Sequence, residues 1–208
     1  MNKAWIALSA LTLAACTREP RYYAPPPEPM QPYPQRPYAE KPARPGPYAP
    51  PPVASAGPLK MAQVSAYMDG QENELRARLR GQGVIVARRG DEIVLNIPNA
   101  ALFESGADLS GTGASILQTL AMTERHYDHT ALQVNGYTDT TGAPDKNLDI
   151  SQRRAHAVAG ALASYGVPGN RIAAQGFGET NPRIKTGENV NEPRNRRVEI
   201  HITATPTA

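Results

Sequence analysis

The chain has 208 residues and a formal net charge of +3, but residues 59–208 hold 16 basic and 16 acidic side chains, so the excess lies in the first 58 residues. A globular part without net charge lacks the basic footprint that phosphate neutralisation requires, which argues against nucleic acid as a partner. The same part is long enough for one ordinary domain.

Residues 1–15 read as a signal peptide: Lys3 opens it, and Ala4 to Leu13 is an apolar run about half as long as a spanning helix needs. The run ends in Leu13-Ala14-Ala15-Cys16, and Cys16 is the only cysteine, so it has no disulfide partner within the chain. Leu13 to Cys16 resembles a bacterial lipobox, which implies lipidation of Cys16, palmitate included. Burial of acyl chains at about 0.8 kcal/mol per CH₂ would make a triacylated end a durable anchor. By the same resemblance, Thr17 in place of Asp implies sorting to the outer membrane. The plainer alternative is a secreted protein with a stray cysteine.

Residues 16–58 are expected to form a disordered Pro/Tyr-rich tether. Fifteen of the 21 prolines and five of the nine tyrosines fall between Pro20 and Pro58, which favours polyproline II and forbids regular hydrogen-bond ladders. Fully extended at about 3.1 Å per residue, such a spacer reaches on the order of 130 Å. The alternative is a ligand for a proline-recognising module.

Residues 59–81 carry Met61, Val64, Met68, Leu75 and Leu79 at near-helical intervals, predicting a packing helix from Leu59 to Arg80 that stops at Gly81. Val84 to Ala87 and Glu92 to Ile97 are β-branched runs joined by Arg88-Arg89-Gly90-Asp91, the pattern of a hairpin. Ser110 to Tyr127 has Ile116, Leu117, Leu120 and Ala121 in helical register, followed by a strand over Ala131 to Tyr137. Leu148 to Tyr165 repeats the helical pattern and stops at Gly166; strands follow near Arg171 to Gln175 and over Arg197 to Thr203. Helices that each cover one sheet face predict an α/β fold, a two-layer βαβαβ-type sandwich with a mixed sheet, whose strand order stays open.

Leu102-Phe103-Glu104-Ser105-Gly106-Ala107-Asp108-Leu109, Gly136-Tyr137-Thr138-Asp139-Thr140-Thr141-Gly142, Asn147, Ser151-Gln152-Arg153-Arg154-Ala155, Arg171-Ile172, Gly176-Phe177-Gly178-Glu179, Pro182 and Asn195-Arg196-Arg197-Val198-Glu199-Ile200 occur in that order. This series resembles the OmpA-like peptidoglycan-binding domain family and places that domain over residues 82–208, with a preceding helix like that of OmpA-like lipoproteins. The resemblance implies non-covalent binding of the diaminopimelate of the peptidoglycan stem peptide, a zwitterion that requires both charges in its site. It assigns Asp139 to the ammonium and Arg154 to the carboxylate, which a planar guanidinium holds through two parallel hydrogen bonds. Thr140, Thr141 and Gly142 are implied as backbone contacts, Asn147 as an orienting contact and Arg196 as a second-tier contact. The spacing of Asn147, Ser151 and Arg154 puts them on one helical face and turns Arg153 elsewhere. Taken alone, Asp139 also reads as an Asx turn and Arg154 as a solvated helix charge. Asn195 reads as a loop cap and Arg197 as an aliphatic stem covering the sheet edge. One departure from the family pattern is Asn191-Glu192 where many relatives have Gly-Arg, a negative charge in place of a positive one.

Neither His126-Tyr127-Asp128-His129 nor the paired glycines complete a metal or phosphate site, so no metal and no cofactor is expected. His156 near Ser151 falls short of a catalytic constellation, so no enzyme activity is expected. The sequence therefore reads as an outer-membrane lipoprotein with its folded domain in the periplasm, tethering the membrane to the cell wall for envelope integrity. The alternative is an adaptor that recruits a trans-envelope protein complex.

Overall fold

The computed structural model describes residues 59–206. The signal peptide, Cys16 and the Pro/Tyr-rich stretch lie outside the described residues. A single 3₁₀ turn, Met61–Gln63, leads into helix α1 (Val64–Arg78), then β1 (Ile85–Arg89) and β2 (Glu92–Pro98). A short helix α2 (Asn99–Leu102) and a small ribbon of β3 (Phe103–Ser105) and β4 (Asp108–Leu109) precede α3 (Gly111–His126) and β5 (Thr130–Tyr137). The chain closes with α4 (Pro144–Ser164), β6 (Ile172–Gly176) and β7 (Arg197–Ala204).

The main sheet has the order β1-β2-β7-β5-β6. It is mixed, as expected: β5 and β6 run parallel, and the other neighbouring pairs are antiparallel. The period of two sends alternate residues to opposite faces. Val86, Leu95, Ile200 and Val134 line up across one face and are buried in the same apolar cluster as the helices. The other face carries Glu92, Asn96, Glu199, Gln133 and His201. The position of β7 could not be read from sequence, and it explains why Val198, Ile200 and Ile202 are fully buried: the strand has a neighbour on each side.

Local chemistry sets the element ends. Gly90 sits at φ 60° in a two-residue hairpin turn with Asp91, a conformation costly for a residue with a Cβ. Ser110 caps α3, its Oγ accepting the Gly113 N–H at 2.9 Å. Helix α4 begins at Pro144, a full turn before the expected Leu148. Proline at the first helical positions needs no N–H partner, and the polar run Asp145-Lys146-Asn147 conceals the start of the apolar period. Helix α1 is shorter than expected, and Met61 is 69% exposed rather than packed, because the chain there forms a 3₁₀ turn. Val64, Met68, Leu75 and Leu79 are buried, in one core with the sheet. Helix α1 and the sheet therefore share a single core.

Two close approaches fix α4 on the sheet. A Cβ on Gly136 of β5 would lie 2.3 Å from the Ser151 carbonyl oxygen, and one on Gly176 of β6 would lie 2.3 Å from the Gln152 nitrogen. Only glycine lets these strands reach the helix backbone one turn before Arg154.

Candidate ligand site at the end of strand β5

Asp139 lies two residues beyond β5, where the chain leaves the sheet, and it is buried. Its Oδ1 accepts the Thr141 N–H at 3.2 Å, closing an Asx turn. Its Oδ2 accepts the Glu192 N–H at 3.2 Å and Arg196 Nη1 at 2.5 Å, a half-buried ion pair. Arg196 Nη1 also donates to Asn191 Oδ1. The Asx turn and an engaged carboxylate therefore coexist at this residue.

The surrounding loops are held by polar contacts. Asn147, buried on the first turn of α4, donates through Nδ2 to the carbonyls of Asp139 and Thr141 and to Glu179 Oε2 at 2.8 Å. Thr140 donates through Oγ1 to the Gly187 carbonyl at 2.8 Å and accepts the Val190 N–H at 3.0 Å. The Gly142 N–H donates to Asn189 Oδ1, with Gly142 at φ 90°. Thr140, Gly142 and Asn147 thus stitch the loop after β5 to the segment before β7, while the bonds of Thr141 stay within its own loop and to Asn147, and its side chain is exposed. Glu179 and Gly106 enter the sequence reading only as members of motifs, and neither partnership, of Glu179 with Asn147 or of the Gly106 carbonyl with Arg154, has a local sequence signal.

Arg154 stands one turn beyond Ser151. The Ser151 hydroxyl donates to the Leu148 carbonyl and accepts the Gly178 N–H at 2.8 Å. Arg154 Nε donates to the Gly106 carbonyl at 2.6 Å, and its guanidinium carbon lies 5.5 Å from the centre of the Phe103 ring. Its two terminal nitrogens make no hydrogen bond among the described residues. Burial weakens its hold on its proton, as do the neighbouring charges of Arg196 and Arg153; Asp139 acts in the opposite sense. Arg154, Arg196, Arg153 and Asp139 accordingly act on one another electrostatically, three positive charges and one negative. Arg153 faces away, paired with Asp149 at 2.8 Å.

The Asn191-Glu192 departure has a local resolution. Arg194 donates to Glu192 Oε1 at 2.9 Å and Oε2 at 2.7 Å, hydrogen bonds that hold this carboxyl down at about 2. The expected negative charge is therefore turned onto its own neighbour. Asn195 is buried and pairs with the Ile184 backbone, N–H to Oδ1 and Nδ2 to carbonyl, both at 2.8 Å.

Arg197 corrects its expected place at a sheet edge. It opens the central strand β7, buried, with its guanidinium 3.9 Å from the centre of the Tyr137 ring and Nε on Glu199 at 2.7 Å. Phe177 stacks on the same tyrosine. Residues 126–129 form the end of α3 and a turn, and among the described residues no cluster of His, Cys, Asp and Glu is arranged to hold a metal ion.

Residues 102–196 match the OmpA family. Among curated proteins, the probable lipoprotein YiaD of Escherichia coli is 46% identical over 140 residues, covering 67% of this chain and 64% of that protein. The peptidoglycan-binding protein ArfA of Mycobacterium tuberculosis is 36% identical over 102 residues, 49% of this chain and 31% of that protein. The chain thus spans less than two thirds of the length of either relative. The structure of the cell wall anchor of the T6SS from Pseudomonas aeruginosa superimposes with a TM-score of 0.56 at 28% identity, covering 64% of this chain and 96% of that one. A putative MotB-like protein from Desulfovibrio vulgaris gives 0.59 at 23% identity over 69% of this chain and 97% of that one, a likeness of fold.

Proposed function

We propose that this chain, which carries an OmpA family domain, binds peptidoglycan non-covalently at the end of β5 and, anchored by lipid on Cys16, tethers the outer membrane to the cell wall. The observation that supports it best is an Arg154 guanidinium whose terminal nitrogens are unengaged, on the helix face whose Asn147 holds the loop of the buried Asp139 carboxylate. A ligand bearing ammonium and carboxylate on one carbon, such as the diaminopimelate side chain, matches both groups.

The hydrogen-bond inventory suggests a sequence of contacts. A carboxylate has about four acceptor sites. Asp139 Oδ1 uses one and Oδ2 uses two, so Oδ1 keeps a site for the ammonium. Arg196, 36% exposed in its side chain, stays on Oδ2 while the arriving ammonium takes the vacant site on Oδ1. The ligand carboxylate takes the two free nitrogens of Arg154. Binding adds charge partners with no covalent step, and no catalytic group is required. Asn147, Thr140 and Thr141 act by holding the loop. Residues 1–15 serve as the export signal and 16–58 as the spacer from the membrane, where many modest contacts share the load.

Co-sedimentation of the full chain with purified diaminopimelate-containing sacculi tests the reading. Wild type pellets, whereas Arg154→Ala and Asp139→Asn remain in the supernatant with unchanged circular dichroism. Asparagine is chosen because it removes the charge while its one remaining oxygen can still accept the Thr141 N–H and close the turn, which alanine would release. A wild type that does not pellet sinks the proposal. Metabolic labelling with palmitate, present in wild type and absent in Cys16→Ser, tests the anchor.

A further inference from the structure

The sheet face turned away from the helices carries a groove of about 440 Å³ that runs over β1, β2 and β7, a volume within the range of small-ligand sites. Strand register sets its floor: Ile85, Asn96 and Glu199 lie side by side across the three strands, and Ala87, Val94 and His201 form the next row. In the other direction, the row beyond Glu199 pairs Arg197 with Tyr137, and both line the groove. Asp139 is two residues past Tyr137, at most about 7 Å of chain, and its ion-pair partner Arg196 directly precedes Arg197. The groove and the Asp139 site therefore adjoin at one end of the sheet.

Three arginines, Arg89, Arg183 and Arg197, line this groove against one carboxylate, Glu199. Arg197 and Glu199 satisfy each other at 2.7 Å, and His201 stands between Glu199 and Glu92. Arg89 and Arg183 are exposed and have no ion-pair partner among the described residues. Asn96 spends one N–H on Glu199 at 3.4 Å and keeps its oxygen and second N–H free among the described residues. The Tyr137 ring is already engaged by Arg197 and Phe177, which leaves Ile85 and Pro182 as the open apolar contacts.

The occupant that suits these residues brings anions for two guanidiniums, polar groups for an amide, and apolar C–H faces. An extended amino-sugar polymer with carboxylate substituents has all three, in its acids, its acetamido groups and its rings. We propose, resting on the cell-wall reading, that the groove holds the glycan strand of peptidoglycan along stretches whose lactyl carboxylates are free, and that Arg89 and Arg183 take those carboxylates. Acetamido groups meet Asn96, and ring faces lie on Ile85 and Pro182. A lactyl carboxylate is free only where the stem peptide has been removed, so the groove reads bare strand next to a peptide-bearing unit held at Asp139.

The test uses the full chain in mild detergent and peptide-free glycan strands, prepared from sacculi with an amidase that cleaves the lactyl–alanine bond. Wild type binds the strands, and its amide NMR signals shift at Ala87, Asn96 and His201. Arg89→Ser/Arg183→Ser, with unchanged circular dichroism, binds about fivefold more weakly, the worth of two exposed ion pairs. Chitotetraose, which has the acetamido rings without the carboxylates, binds wild type as weakly as the strands bind the double variant. Arg154→Ala leaves strand binding unchanged, so a failed diaminopimelate reading shows in sacculus pelleting and a failed groove in the strands. Absence of strand binding, equal binding of chitotetraose, or indifference to the double substitution overturns the proposal. Polyglutamate binding as tight as that of the strands, or shifts confined to Thr140 and Gly142, overturns it too, assigning the effect to charge alone or to the Asp139 site.

Discussion

Replacing Glu124 by glutamine should remove most of the pH dependence of stability near neutrality. This carboxyl is fully buried on α3, where Oε1 accepts Gln71 Nε2 at 2.8 Å and Oε2 accepts Thr130 Oγ1 at 3.0 Å. Arg171 reaches Oε2 only at 3.4 Å, because the same nitrogen also serves the Tyr127 carbonyl and Thr130 Oγ1. Burial therefore outweighs the ion pair and pushes Glu124 from 4.5 up to about 7. The Gln71 carbonyl oxygen, buried without a partner, can accept the proton of the neutral acid once the amide rotates. A carboxyl raised in the folded state stabilises fully below the unfolded value of 4.5, and this contribution is lost as pH climbs through about 7. At 1.36 kcal/mol per pH unit, the interval amounts to about 3 kcal/mol. Urea unfolding from pH 4.5 to 8.5 should show wild type losing about that much relative to Glu124→Gln, whose curve is flatter. Parallel curves for the two proteins would refute the assignment.

His201 lies between Glu92 and Glu199 and is raised above 6.5 by the carboxylate of Glu199, 3.4 Å from Nε2, and by Glu92, 2.8 Å from Nδ1; its stabilisation is complete below 6.5 and fades as pH passes the raised folded value. An imidazole titration followed by NMR with a midpoint at or below 6.5 would contradict this. Gly136→Ala must push α4 off the sheet and is expected to cost about 1–3 kcal/mol and to abolish sacculus binding by displacing Arg154; an unchanged melting temperature would contradict it. Ser110→Ala, which removes the cap of α3, should lower stability by about 1 kcal/mol in denaturant melts without affecting sacculus binding.

Periodicity made the long elements legible. Ile116, Leu117, Leu120 and Ala121 are all buried on α3 as their spacing requires, and the Gly90 turn joins the two strands that flank it. Strands of two or three residues, such as β3 and β4, carry too few side chains to show a period, and their place depends on a distant contact, the Ser110 N–H donating to the Leu102 carbonyl. The neighbourhood of Asp139 and Arg154 was legible only as an ordered set of motifs. Its partners come from residues 47 to 57 positions away, such as Gly187, Glu192 and Arg196, and no local rule of spacing finds them.

Of the described strands, the central β7 is the last to leave the ribosome or a translocation pore. Until residues 197–204 emerge, β1-β2 and β5-β6 are two unconnected pairs, since neither borders the other except through β7. The longest-range pairing must come last, so a nascent chain stays unfinished and open to threading through a narrow channel until β7 has emerged. Truncation before Arg197 would leave two half-sheets and no shared interior, a failure of assembly rather than a trimmed edge.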